Sequence, residues 1–236
     1  MGECAVRRGI ILLSLGWGIM WILFVNQFLH ETKSNVPPWE QSTMATEVVL
    51  VSFPYKINGT NLLIEGMGIY EGPYLEDGSD TPVTDTAALR VINLSNQPVE
   101  RGAVILQIDQ QRYVFELYAI PPGGCVYVCE SEKKEFTTNP VTACTGWAAE
   151  DVWHDTSGLL TITEVGMGTI NITNLTDREL PYIQLLYKSY DKESGVYIGG
   201  ICHTQDILLL EQGESRTVKP YRYVSGYSRV VTIKVE

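Results

Sequence analysis

The residue types that chemistry requires are few in this chain, and their spacing decides little. Beyond residue 50 there are two histidines, in the adjacent pairs His154-Asp155 and Cys202-His203. A triad needs a nucleophile bonded to a base that a third group orients. His154-Asp155 supplies a base and an acid without an identifiable nucleophile. Neighbours in a strand point to opposite faces, so Cys202 and His203 cannot easily share one task. No catalytic residue is assigned, and the chain reads as a non-enzyme.

Metal chemistry is equally thin. No CxxC spacing occurs, which argues against a zinc site. The stretch between Tyr70 and Ala87 carries Glu71, Glu76, Asp77, Asp80 and Asp85 with no basic residue. Calcium wants several oxygen ligands, and such a loop offers them. The run Asp77-Gly78-Ser79-Asp80 does not match an EF-hand loop, however, and Pro73 and Pro82 suit an ordinary solvated excursion. No metal and no cofactor is assigned.

Cysteines give one candidate bridge. Cys125 and Cys129, four apart in an apparent strand, lie roughly 13 Å apart at ~3.3 Å per residue, too far to bond. Cys144 can reach either, and Cys129–Cys144 closes the shorter loop. Free buried thiols are the equal alternative, since free cysteine often serves as a small hydrophobe. Trp147, Trp153 and His154 sit in the least regular stretch. They form either a partner surface or the filling of a groove between domains.

The elements that must position these residues begin with Ile10–Leu29, nearly all apolar and preceded by Arg7-Arg8. Twenty helical residues at ~1.5 Å each span ~30 Å, a bilayer's hydrocarbon core. The run exceeds a signal-peptide core and lacks an A-x-A-like site after it, so it is read as an uncleaved signal anchor. Basic residues before it keep residues 1–9 cytoplasmic. Residues 30–45, with Pro37-Pro38, form a stiff spacer. Acidic residues outnumber basic ones 28 to 17, giving a net charge of -11, which disfavours nucleic-acid partners.

From Val48 onward, short runs rich in Val, Ile, Thr and Tyr alternate with Gly, Pro, Asn and Asp. Ile170 and Ile172 alternate with Thr169, Asn171 and Thr173. Val231, Ile233 and Val235 alternate with Thr232, Lys234 and Glu236. Period-two alternation predicts strands with one buried face. Three short matches recur in order: Glu65–Gly68 with Glu164–Gly168, Asn93-Leu94-Ser95 with Asn174-Leu175-Thr176, and Pro121–Gly124 with Glu211–Glu214. The order points to two copies of one sandwich, 46–150 and 151–236.

In the second copy, Gly168–Thr176 runs into Tyr182–Asp191, and Leu210-Glu211-Gln212-Gly213-Glu214-Ser215 closes it. This stretch of ~80 residues resembles the immunoglobulin-like FxLYD and CARDB domains of prokaryotic surface proteins. The first copy departs from that pattern: its central strand does not end in Tyr-Asp, and its turn is Pro-Gly-Gly. The resemblance implies extracytoplasmic scaffolding or ligand presentation and no enzymatic activity.

The expected fold is therefore mainly β: two tandem immunoglobulin-like β-sandwiches after one transmembrane helix. The four Asn-x-Ser/Thr triplets, at Asn58, Asn93, Asn171 and Asn174, are read as turn residues. The expected function is a single-pass protein of the cell membrane that binds or scaffolds another extracytoplasmic or membrane protein. A carbohydrate or cell-wall binding module is the alternative, resting on 13 Tyr and 5 Trp. A membrane-tethered hydrolase would need His154 or His203 to meet a carboxylate in a cleft.

Overall fold

The computed structural model describes residues 50–150, 156 and 158–236. The predicted anchor and spacer, with Trp153 and His154, lie outside the described residues. Among the described residues no helix is long and apolar enough to cross a membrane. The expected β-rich fold is what the described residues form. The strands are β1 (Tyr55–Lys56), β2 (Leu62–Pro73), β3 (Pro82–Asn93), β4 (Val99–Ile108), β5 (Gln111–Ile120), β6 (Cys125–Cys129) and β7 (Val141–Glu150). They continue with β8 (Leu160–Gly166), β9 (Thr169–Asn174), β10 (Leu180–Asp191), β11 (Val196–Leu210), β12 (Ser215–Val218) and β13 (Ser228–Val235).

Alternation does what the pattern predicts. Along β9, Ile170 and Ile172 are buried while Thr169, Asn171 and Thr173 are half-buried on the other face. The strands build three sheets, ordered β1-β2-β3-β6-β11-β10-β13, β12-β9-β8 and β5-β4-β7. One pairing pattern occurs twice. Strands β2-β3-β6 face β5-β4-β7, and β8-β9-β12 answer β11-β10-β13 in the same order. One core packs Leu62 and Ile64, Leu89 and Val91, and Val126 and Val128 against Val104, Leu106, Phe115 and Leu117. A second gathers Leu160, Ile170, Ile172, Ile183, Leu185, Ile207 and Leu210. Each such side chain contributes roughly 1.5–3 kcal/mol on burial, which makes the two cores the main source of stability.

The two halves are spliced edge to edge. Strand β6 pairs in parallel with the start of β11, with Val126 opposite Tyr197 and Tyr127 opposite Ile198. That pairing turns two smaller sheets into one of seven strands.

The matched turns repeat at atomic detail. Asn93 Nδ2 donates to the carbonyls of Gln97 at 2.8 Å, Ile120 at 3.2 Å and Pro121 at 3.2 Å. Asn174 Nδ2 donates to those of Arg178 at 2.8 Å, Leu210 at 3.0 Å and Glu211 at 3.0 Å. In each case the Asn Oδ1 accepts the amide N–H two residues on, from Ser95 and from Thr176, both at 2.9 Å. The residue before each of the carbonyl pairs has a left-handed backbone, Ala119 at φ 46 and Leu209 at φ 51. Both asparagines are fully buried, so these two triplets are structural turns, as expected.

Candidate functional site

The acidic stretch becomes the connection between β2 and β3, a loop over Tyr74–Thr81 closed by the Tyr74 N–H donating to Thr81 O at 2.8 Å. Asp77 Oδ1 accepts the Ser79 N–H at 2.8 Å, which bends the loop locally. Its carboxylates then separate to three different elements. Asp77 pairs with Lys133 at 3.1 Å and Asp80 with Arg222 at 2.9 Å. Glu76 runs inward, where Oε1 accepts the Cys129 N–H at 2.8 Å and Oε2 accepts the Gly200 N–H. Among the described residues no group of three or more His, Cys, Asp or Glu is placed to hold a metal ion.

Beneath the loop lies a fully buried lysine. Lys188 Nζ donates to Tyr118 O at 2.8 Å and to Gly200 O at 3.1 Å. The Gly200 peptide thus takes Glu76 on its N–H and Lys188 on its carbonyl. Burial pushes the Glu76 carboxyl above its usual range, against the two N–H bonds and the nearby Lys188 charge. Burial likewise pushes the Lys188 ammonium down, opposed by Cys202 and Glu76. Only glycine fits at position 200, because a Cβ there would stand 2.2 Å from Glu116 O and 2.7 Å from Glu76 Oε2. At Gly199, φ +84, a Cβ would lie 3.2 Å from Leu75. The adjacent glycines are where the loop meets the β11 backbone.

Two cavities flank the loop. One of about 260 Å³ is lined by Leu75, Asp80, Ser189, Ile198, Ile201, His203, Arg222 and Val224. The other, of about 210 Å³, is lined by Tyr74, Glu76, Asp77, Glu116, Tyr118, Cys129, Ser131 and Ile201. A larger depression of about 710 Å³ surrounds the exposed turn at Asn58, with Lys56 and Glu150 its charged groups. It gathers no other ionic side chain, so the site is placed at the junction, where ionic, aromatic and apolar groups converge.

His203 is the one described histidine. Its ring lies 5.6 Å from that of Tyr187 and 6.3 Å from that of Tyr221, and Tyr223 sits 5.5 Å from Tyr187. The Tyr187 hydroxyl donates to Tyr221 O. Burial, Arg222 and Lys188 hold the imidazole below its ordinary value, with Asp80 acting the other way. Among the described residues no hydrogen bond joins His203 to Asp80 or to Ser189, and Asp80 is committed to Arg222. Beside this cavity stands an apolar rim: Tyr221 and Tyr227 are each 70% exposed, and Val224 is exposed too. The β8–β9 turn continues it with Val165 and Met167, the latter 94% exposed, tied in by the Gly168 N–H donating to Ser225 Oγ at 2.9 Å.

The structure keeps its four described cysteines as free thiols. Cys129 packs with Tyr74 and Ala88, whereas Cys144 lies on β7 against the main core, so the two are not brought together as a bridge. Burial pushes the Cys129 thiol up to about 12, and those of Cys144 and Cys202 up to about 11. Trp147 stands 47% exposed on β7, an edge strand. Tyr187 is buried, and Tyr182, Tyr197 and Tyr223 are half-buried, so these four form no exposed aromatic row.

Lys188, Gly200 and Arg222 did not stand out in the sequence. The one signal, for Gly200, was the Gly199-Gly200 pair within a strand, which marks a close backbone approach. No protein-family model matches the chain, and no curated protein matches it.

Proposed function

We propose that this chain is a single-pass protein of the cell membrane that presents two immunoglobulin-like β-sandwiches, of the FxLYD or CARDB kind, outside the cytoplasm to bind or scaffold another surface or envelope protein. The observation that supports this most is the exposed apolar rim of Tyr221, Val224, Tyr227 and Met167 beside the 260 Å³ cavity. Aromatic side chains are enriched at the cores of protein interfaces, and exposed apolar patches mark contact sites when they are large. Trp147 on the β7 edge offers a second contact point.

The test is photo-crosslinking of the intact chain in its native membrane, with a photoreactive amino acid at Tyr221 or at Trp147. Capture of one defined protein at Tyr221 is the expected result. Recovery of wall glycan alone, or of no adduct at either position, overturns the proposal.

A further inference from the structure

The Tyr74–Thr81 loop stands between two cavities that share Ile201 in their walls. Its ends are paired, Pro73 with Pro82, but between them it is fastened to its surroundings mostly by side chains. The Tyr74 hydroxyl donates to Glu130 O at 2.8 Å, Asp77 and Asp80 hold Lys133 and Arg222, and Glu76 takes the Cys129 and Gly200 amides. The two ion pairs are on the surface, where such contacts hold weakly. The Glu76 clamp is of another kind, since it keeps a carboxylate and, across one peptide, an ammonium away from water.

We propose that residues 75–81 of this loop are a strap that lifts as a unit from a seated Tyr74 while both cores stay folded, joining the two cavities into one groove along Ile201. Lifting loses the Glu76 clamp and the two ion pairs but rehydrates the Glu76 carboxylate, a charge whose burial is unfavourable, so the loss is partly offset. The backbone is bent at both ends of the loop. Gly72 has φ 141 beside a register shift in the β2–β3 pairing, and Asp80 has φ 54. Tyr74, fully buried, is the last anchored residue on the β2 side.

The Cys129 and Gly200 amides report the strap directly, because the acceptor of each is the Glu76 carboxylate. Native-state hydrogen exchange on the full chain in lipid nanodiscs is the test, and it involves no partner, so it stands or falls apart from the binding role above. Both amides should exchange at least about ten-fold faster than the core strand amides of Val126 and Leu185, with weak denaturant dependence, as local opening requires. Asp80→Asn should quicken them further and leave Val126 and Leu185 unchanged. Exchange of the Cys129 and Gly200 amides at the rate and denaturant dependence of Val126 overturns the strap, as does an Asp80→Asn variant in which all four amides move together.

Discussion

Glu76 and Lys188 meet through a peptide rather than face to face: the Gly200 N–H donates to the carboxylate, and the Gly200 carbonyl accepts from the ammonium. The peptide dipole is thereby aligned between two buried charges that form no direct ion pair.

Removing one partner of such a pair leaves the other charge buried without compensation. Glu76→Gln and Lys188→Met should each lower the unfolding free energy by about 3–5 kcal/mol. The double variant should lose less than the sum of the two, because the coupled charges leave together. Denaturant unfolding of the three variants against the parent measures the coupling. Strict additivity would show that the shared peptide transmits nothing.

Gly200→Ala drives a methyl group to 2.2 Å from Glu116 O and 2.7 Å from Glu76 Oε2. Overpacking of this kind costs about 1–3 kcal/mol. Gly213→Ala is the control: its φ is +67 but no atom lies within 4 Å, so only the backbone penalty of about 1 kcal/mol remains. A larger loss at 200 than at 213, read from thermal unfolding, is the expected order.

Asn93→Ala and Asn174→Ala each remove one side chain that satisfies three buried or half-buried carbonyls and one amide. Each variant should lose about 2–4 kcal/mol, set by the polar groups left unpaired. Asn58→Ala, on an exposed turn, should stay within about 0.5 kcal/mol of the parent. Equal effects at 58 and 93 would contradict the buried role.

Thiol reactivity follows the raised thiol values at Cys129, Cys144 and Cys202. The thiolate is the nucleophile, and near neutral pH these three groups are protonated. An alkylating reagent at pH 7.5 should modify them slowly in the folded chain and fully in denaturant without reductant. A Cys129–Cys144 bridge would instead leave both unlabelled in denaturant until reductant is added.

His203 contributes an acid sensitivity of definite sign. Its folded value is depressed, so the unfolded chain takes up the proton first as pH falls. The His203 contribution to stability should therefore be full above about pH 7 and decline as pH drops through the free-histidine range near 6.5. His203→Gln should flatten the decline in melting temperature between pH 7.5 and 5.5. An unchanged slope would place the acid sensitivity elsewhere.

Strand positions were legible because alternation is local: Ile170 and Ile172 declare a buried face within six residues. The Asn93 and Asn174 turns were legible as a recurrence, and their geometry confirms why the same residues recur. The junction was not legible, since Glu76 finds its partners at Cys129 and Gly200 and Asp80 finds Arg222 on a distant loop. Five carboxylates without a nearby base read as a solvated or cation-binding excursion when their counterions lie far along the chain. Lys188, set among tyrosines in an alternating strand, gave no sign that its ammonium would be buried beneath a loop from the other half.

The splice between the halves breaks the symmetry of the repeat. Strand β11 spans Val196–Leu210 and β5 spans Gln111–Ile120, although both end at the same kind of asparagine-capped turn. The additional residues of β11 lie at its start, and Tyr197 and Ile198 there are the ones that accept β6. Strand β5 has no such extension, and β12 pairs with β9 alone. The connector that welds the two units is present in one of them alone, so the join is asymmetric although the units that it joins repeat.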